Sequence, residues 1–491
     1  MVDKNELGLV PSPRFVKVLE GSFNGGGKAS DGAKTVDSLL SCVKRERSDT
    51  LMFSCIKSFN KNLMDEAYIL EVSEDGIRVR AVAEAGFFYA DITLKQLFMT
   101  FGGSIPCLYI EDIPAYEWRG LMLDVCRTFY PVKFVLKMID AAAFHKLNRF
   151  HWHLTDVQGW RFNVPEYPRL AEIGSLRKSL RLPDHEAPKG GYYTDDEIRQ
   201  VVEYAAARHI TVVPEVETPG HASAVLAAYP ELGCTGGPYH VEDRFGIFDD
   251  VLCAGNNAVF TVFEKVFDTV CRLFPGQYVH IGGDECPRTR WKECPKCQVR
   301  MKEEGLSDEN MLQGFMTAKF AKMLEERGKT PVGWDEVLEG TERFGLPSSL
   351  IVQSWRGMSG GEAASALGHK VIMSPNTDGC YLDYKHLDDP LEPGNLGIIT
   401  VKDSYSFSPV SSEMSESARK NVLGGQGNLW TELIYAAKIA EYMIFPRLCA
   451  LSESFWLPQN EKNFNSFAAR LPVHKKRLDD MDIQYYRGPL E

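Results

Sequence analysis

The chain has 491 residues, 44% of them hydrophobic and 25% charged, an ordinary globular composition long enough for a large core and for two domains. Its 67 acidic residues outweigh 55 basic ones, for a formal charge of -12, and no sustained basic run occurs. That excludes nucleic acid as a partner, because phosphate binding needs a clustered positive surface. No stretch reaches the roughly 18 apolar residues of a membrane helix. The opening "MVDKNELGLVPSP" lacks the charged and then apolar pattern of a secretory leader, so a cytoplasmic location is expected unless a leader has been removed.

Residues 1–112 read as a small α+β domain. "YILEVSEDGIRVRAVAEAG" alternates with period two on either side of the turn "EDG", a hairpin signal, and "FFYADITLKQLF" then switches to helical spacing. The pattern breaks at Pro114, and residues 113–491 form the second predicted domain.

From Arg119 onward short apolar strands alternate with amphipathic helices, the signature of a parallel sheet with crossover helices. Four strands are predicted at "RGLMLDV" (119–125), "RFHWHLTD" (149–156), "ITVVPEVE" (210–217) and "YVHIGGDE" (278–285). Four more follow at "TPVGWDE" (330–336), "LIVQSW" (350–355), "KVIMSP" (370–375) and "NVLGGQGNLWTE" (421–432). Intervening segments such as "TDDEIRQVVEYAAARH" and "NAVFTVFEKVFDTVCRLF" space apolar residues three and four apart. Eight such units predict a (β/α)₈ TIM barrel, of the α/β class, preceded by the small α+β domain.

Almost every predicted strand ends in chemically capable residues: Arg127, Asp156, His221, Asp284 with Glu285, Trp334 with Asp335, Trp355, Tyr381 with Asp383, and Trp430 with Glu432. Each alone has a bland explanation, as a core Trp, a helix-capping Asp or an Arg in a structural ion pair. Their recurrence at the C-terminal ends of successive strands, where barrel enzymes keep their active sites, points to one pocket. Aromatic rings beside carboxylates and one arginine suit a sugar, whose C–H faces pack on rings while its hydroxyls need directional partners.

The stretch "YVHIGGDECP" places Asp284 and Glu285 side by side. A two-carboxylate retaining glycosidase needs its acids on opposite faces of one sugar carbon, about 5–5.5 Å apart, which neighbours on one strand do not easily provide. Gly282 and Gly283 are expected to leave room beneath the sugar.

The segments "RGLMLDVCRTFYP", "FHWHLTDVQGWRF", "VPEVETPGHA", "HIGGDECP", "VGWDE", "QSWRG", "YLD" and "GNLWTE" resemble, in order and spacing, the β-N-acetylhexosaminidases of glycoside hydrolase family twenty. The resemblance runs through most of the chain. It implies exo-acting, retaining removal of a terminal GlcNAc or GalNAc, with the substrate's own 2-acetamido oxygen as nucleophile. It implies Glu285 as general acid and base, Asp284 as the group orienting the acetamido N–H, and Tyr381 as the hydroxyl bonded to the acetamido oxygen. Arg127, Asp383 and Glu432 resemble the partners of sugar hydroxyls, and Trp334, Trp355 and Trp430 the walls of the pocket. Asp156 and His221 resemble the buried pair behind Glu285. Two departures stand beside this set: Val157 where relatives carry a second acid, and Glu217 where Asp is expected.

Three other readings compete. "HWH" (His151, His153) is also a motif of metal-dependent barrel hydrolases, but if Asp156 points into the mouth, strand alternation turns both histidines towards the helices. A non-catalytic sugar-binding protein would not require a poised acid. A disaccharide-releasing relative of the lacto-N-biosidase type would need a pocket open past one sugar.

The twelve cysteines lie mostly in apolar segments such as "VLCAG" and "RLCAL", which fits a reducing compartment. Cys294 and Cys297 in "ECPKCQ" have metal-type spacing, yet a structural zinc needs four ligands and no second pair follows nearby. A helix cap or a redox-labile pair is expected there, with no metal and no cofactor. The expected partner is an oligosaccharide ending in N-acetylhexosamine, with no membrane involved and a homodimer left open.

Overall fold

The computed structural model describes residues 2–24, 35–177 and 189–491. The front unit is a five-stranded sheet in the order Phe15–Asn24, Ser104–Asp112, Tyr68–Ser73, Gly76–Ala81 and Val43–Arg47. The expected hairpin is present, with Ser73 paired to Gly76 across Glu74 and Asp75. The helix Glu84–Phe101 buries Phe87, Leu94 and Leu97 against Tyr68, Leu70 and Val79 of the sheet.

Eight parallel strands close into a barrel in which the first, Trp118–Asp124, pairs with both the second, Arg149–His153, and the eighth, Val422–Leu429. The third to seventh are Thr211–Thr218, Tyr278–Gly282, Thr330–Trp334, Ile351–Ser354 and Val371–Met373. All eight predicted strands form. The structure shortens most of them at the C-terminal end, because those residues leave the ladder to build the mouth. The crossover helix Asp195–Ala206 starts in a capping box, with the Thr194 and Glu197 side chains each accepting the other's backbone N–H.

The barrel interior changes character along its axis. Its lower layer is apolar, packed by Trp118, Val213, Val332, Ile351 and Ile372. Two residues further along the third strand, Glu215 faces inward and meets His151 at 3.0 Å and His280 at 2.9 Å, and His153 Nδ1 also bonds to it. This corrects the orientation expected for His151 and His153. The second strand stops at His153, and Thr155–Asp156 belongs to a separate two-stranded ladder with Gly159–Trp160. Alternation counted back from Asp156 therefore crosses a break and assigns the wrong face.

Asp112, at the end of the front sheet, joins the two units. Its carboxylate accepts from Tyr68 at 2.8 Å, from the Lys146 ammonium at 3.0 Å and from the Trp456 indole at 2.8 Å, all buried. Asp112→Ala leaves Lys146 charged and unpaired in the interior, so a loss of about 3–5 kcal/mol is expected. Urea denaturation would measure it, and an unchanged midpoint would refute the assignment.

Candidate active site

The fourth barrel strand ends at Gly282, and the chain then turns sharply. Gly282 and Gly283 have φ of 69° and 111°, and Glu285 has φ of 46°. Only glycine adopts the first two cheaply, while a left-handed glutamate is a strained conformation of the kind held at functional sites. The turn sets the two acids at different depths. Asp284 is buried with an 11% exposed side chain, whereas the Glu285 side chain is 33% exposed at the rim. His221, itself left-handed with φ of 48°, lies between them: its Nε2 is 3.5 Å from Asp284 Oδ2 and 3.5 Å from Glu285 Oε2.

Behind His221 stands Asp156, accepting from His221 Nδ1 at 3.1 Å and meeting His153 Nε2 at 2.9 Å and Arg127 at 2.8 Å. Burial opposes ionisation here, but Arg127 and His221 overcome it and hold Asp156 well below the carboxylate range. Burial likewise opposes a charged His221, yet Asp156 and Asp284 keep it protonated well above the histidine range. Asp156 is thus engaged behind the cavity wall and not in it.

The cavity is about 180 Å³, below the roughly 300–1,000 Å³ of sites for drug-sized ligands. Ten of the twelve residues expected to meet in one pocket line it, the exceptions being Asp156 and Asp335. Trp334 forms the floor, its indole N–H donating to Glu215 at 2.8 Å. Trp355 and Tyr381 lie nearly parallel with ring centroids 6.4 Å apart, and Arg127 stacks over Trp430 at 5.0 Å. Burial raises the Tyr381 hydroxyl well above its usual pKa, so it stays a proton donor. Burial and the neighbouring Glu432 push Asp383 well above the carboxylate range. Asp284 Oδ1 and Asp383 Oδ1 are buried with no hydrogen-bond partner among the described residues, which orients acceptor capacity towards a ligand.

Two sequence expectations are corrected. A side chain at Gly282 would meet Glu217 Oε2 at 1.9 Å and one at Gly283 would meet Val337 at 2.7 Å. These glycines make room for protein rather than for sugar. Burial and the charges of Asp284 and Glu215 keep Glu217 protonated well above the carboxylate range. Asp335 does not enter the pocket; it accepts from the Trp355 and Arg356 backbone N–H groups at 2.9 and 3.2 Å.

Sequence reasoning missed Asn376, Tyr384 and Asn395, which also line the cavity. Tyr384 and Asn395 pair with each other in a short two-stranded ladder outside the barrel and Asn376 lies in a turn, so alternation along the barrel strands carries no signal for them. It also missed Glu336, which accepts from the Trp355 indole at 2.9 Å and so fixes a wall of the pocket.

Two family models match the chain: "Glycosyl hydrolase family 20, catalytic domain" over residues 116–459, and "Glycosyl hydrolase family 20, domain 2" over residues 6–113. The chain belongs to glycosyl hydrolase family 20. It is 42% identical over 434 residues to a β-hexosaminidase of Porphyromonas gingivalis, covering 86% of this chain and 55% of that protein. It therefore spans little more than half the length of that relative. A β-hexosaminidase of Vibrio furnissii is 33% identical over 477 residues, covering 92% of this chain and 77% of the relative. Among solved structures, the family 20 exo-β-N-acetylglucosaminidase of Vibrio harveyi in complex with N-acetylglucosamine superposes with a TM-score of 0.86 at 29% identity. That match covers 98% of this chain and 78% of the other. Like other family 20 members, the chain is a glycoside hydrolase with a barrel catalytic domain. No helix of the described residues is long and apolar enough to cross a membrane.

Glu336 gives this family 20 site a pH signature. Burial and the charges of Asp284 and Asp335 raise its pKa from 4.5 to about 8. Its contribution to stability is full below about pH 4.5, where the unfolded side chain is also neutral, and is lost as pH rises to about 8. In Glu336→Gln that loss is absent, so the melting temperature of the variant relative to the parent should rise across this interval. A difference independent of pH would show that Glu336 is ionised in the fold.

Proposed function

We propose that this chain removes single terminal β-linked N-acetylhexosamine residues, acting from the non-reducing end with retention of configuration. The observation that carries the reading is the depth difference between Asp284 and Glu285, which share His221 at 3.5 Å while only Glu285 reaches the rim. Glu285 donates its proton to the glycosidic oxygen as the bond to the anomeric carbon breaks. The 2-acetamido carbonyl oxygen attacks that carbon from the opposite face, forming an oxazolinium ring. Buried Asp284 accepts the acetamido N–H and stabilises the positive charge spreading onto nitrogen. The Tyr381 hydroxyl donates to the acetamido oxygen. Glu285, now a carboxylate, takes a proton from the water that opens the ring.

In this reading Arg127, Asp383 and Glu432 bind ring hydroxyls, and Trp334, Trp355 and Trp430 enclose the acetamido methyl and the sugar face. Arg127 and Glu432, 3.6 Å apart, close the pocket after one residue, which favours exo-action over release of a disaccharide. The corresponding division of the chain is an N-terminal α+β domain over 1–112 and a catalytic barrel over 113–491.

An aryl N-acetyl-β-D-glucosaminide should be cleaved while the matching aryl β-D-glucoside, lacking only the acetamido group, is not; equal rates would mean an enzymatic nucleophile. Glu285→Gln should lower the rate about 10²–10⁴-fold. An undiminished rate would remove Glu285 from its role. Preference for an aryl disaccharide over the monosaccharide would replace exo-action with the disaccharide-releasing alternative.

A further inference from the structure

The half-motif at Cys294 and Cys297 is completed in space by residues far away in the chain. Cys234 follows Gly233 and Cys253 follows Leu252, and the antiparallel bridge between Gly233 and Leu252 holds the two segments that carry these cysteines side by side. The Cys253 N–H donates to the Leu232 carbonyl at 2.9 Å, and the Trp291 indole donates to the Leu252 carbonyl at 2.9 Å. These bonds carry the loop onto the helix Pro295–Glu304, which has Cys294 at its N-terminal cap and Cys297 in its first turn.

The four sulfurs lie within 4.8 Å of one another. Cys253 Sγ is 3.7 Å from Cys297 and 3.8 Å from Cys294, and Cys234 Sγ is 3.8 Å from Cys297. A disulfide would need about 2.05 Å. Four thiolates at the zinc–sulfur distance of about 2.3 Å form a tetrahedron with edges of about 3.8 Å, and these three pairs match that spacing. The surroundings suit the negative charge of such a cluster. The N-terminus of the helix Pro295–Glu304 supplies partial positive charge beside Cys294 and Cys297. A side chain at Gly255 would meet the Lys296 carbonyl at 2.2 Å, so the close approach that brings the loops together requires glycine there.

We propose that Cys234, Cys253, Cys294 and Cys297 bind one zinc ion as a closed tetrathiolate site, each thiol releasing its proton to solvent. Four protein ligands leave no open coordination position, so the role is structural. The ion clamps the loop after the third barrel strand, which carries His221, to the segment after the fourth, which carries Asp284 and Glu285. Both loops frame the active site, and the metal ties them on the side away from the barrel axis.

The test begins with the unaltered full chain, purified without chelator from zinc-supplemented cells and assayed by plasma mass spectrometry. One zinc per chain is expected. Protein refolded with cobalt(II) should show the intense visible bands and thiolate charge-transfer absorption of a tetrahedral tetrathiolate, which a site built on the barrel histidines would not give. Cys297→Ser should lose the metal, while Cys42→Ser, at an exposed and remote thiol, should keep it. Should Cys297→Ser fail to fold, the cobalt spectrum of the parent chain still decides. Full-length protein without stoichiometric zinc, a disulfide among the four cysteines in a non-reduced digest, or a cobalt spectrum lacking thiolate charge transfer would each overturn the proposal.

Discussion

A carboxylate buried in the mouth of a barrel must be compensated, and Asp156 is compensated from several sides at once. Arg127 comes from the end of the first strand, His153 from the second and His221 from the loop after the third. Each reaches Asp156 by a charged hydrogen bond or ion pair, so three βα connections are held at fixed positions relative to one carboxylate. His221 then extends the chain of charges to Asp284 and Glu285 after the fourth strand.

That network rests on a second one below it. Glu215 draws His151, His153 and His280 inward and receives the Trp334 indole, so the floor of the pocket is braced by the polar middle layer of the barrel. His153 belongs to both layers: burial opposes its charge, but Glu215 and Asp156 raise its pKa to about 10. Above the floor the acids divide into two groups. Asp156 is held ionised by its cationic neighbours, while Glu217, Glu336 and Asp383 are pushed towards the neutral form by burial and by nearby carboxylates. A mouth so crowded with acids is sustainable because only some of them carry charge at once.

Much of this was legible in the chain. The eight strands announced themselves as short apolar runs separated by amphipathic helices, and the residues lining the pocket announced themselves as polar or aromatic residues where those runs stop. Legibility ended where regular geometry ended. Alternation failed for His151 and His153 because a two-residue ladder intervenes before Asp156. It was silent on Asn376, which lies in a turn, and on Tyr384 and Asn395, which pair in a short ladder outside the barrel. Asp335 and Glu336 follow one another at a strand end, and only their hydrogen bonds reveal that both support the Trp355 loop from outside the sugar pocket.

The sequence by itself determined the class of fold, the order of its units and the chemical nature of the pocket, because periodicity and composition act locally and repeat eight times. The tertiary structure alone decided the depth at which each acid sits, which carboxylates are paired, and that Cys234 and Cys253 meet Cys294 and Cys297. The physical reason is common to all three. Burial, electrostatic pairing and coordination geometry depend on distances between groups remote in the chain, and those distances exist only once the βα loops have packed against one another.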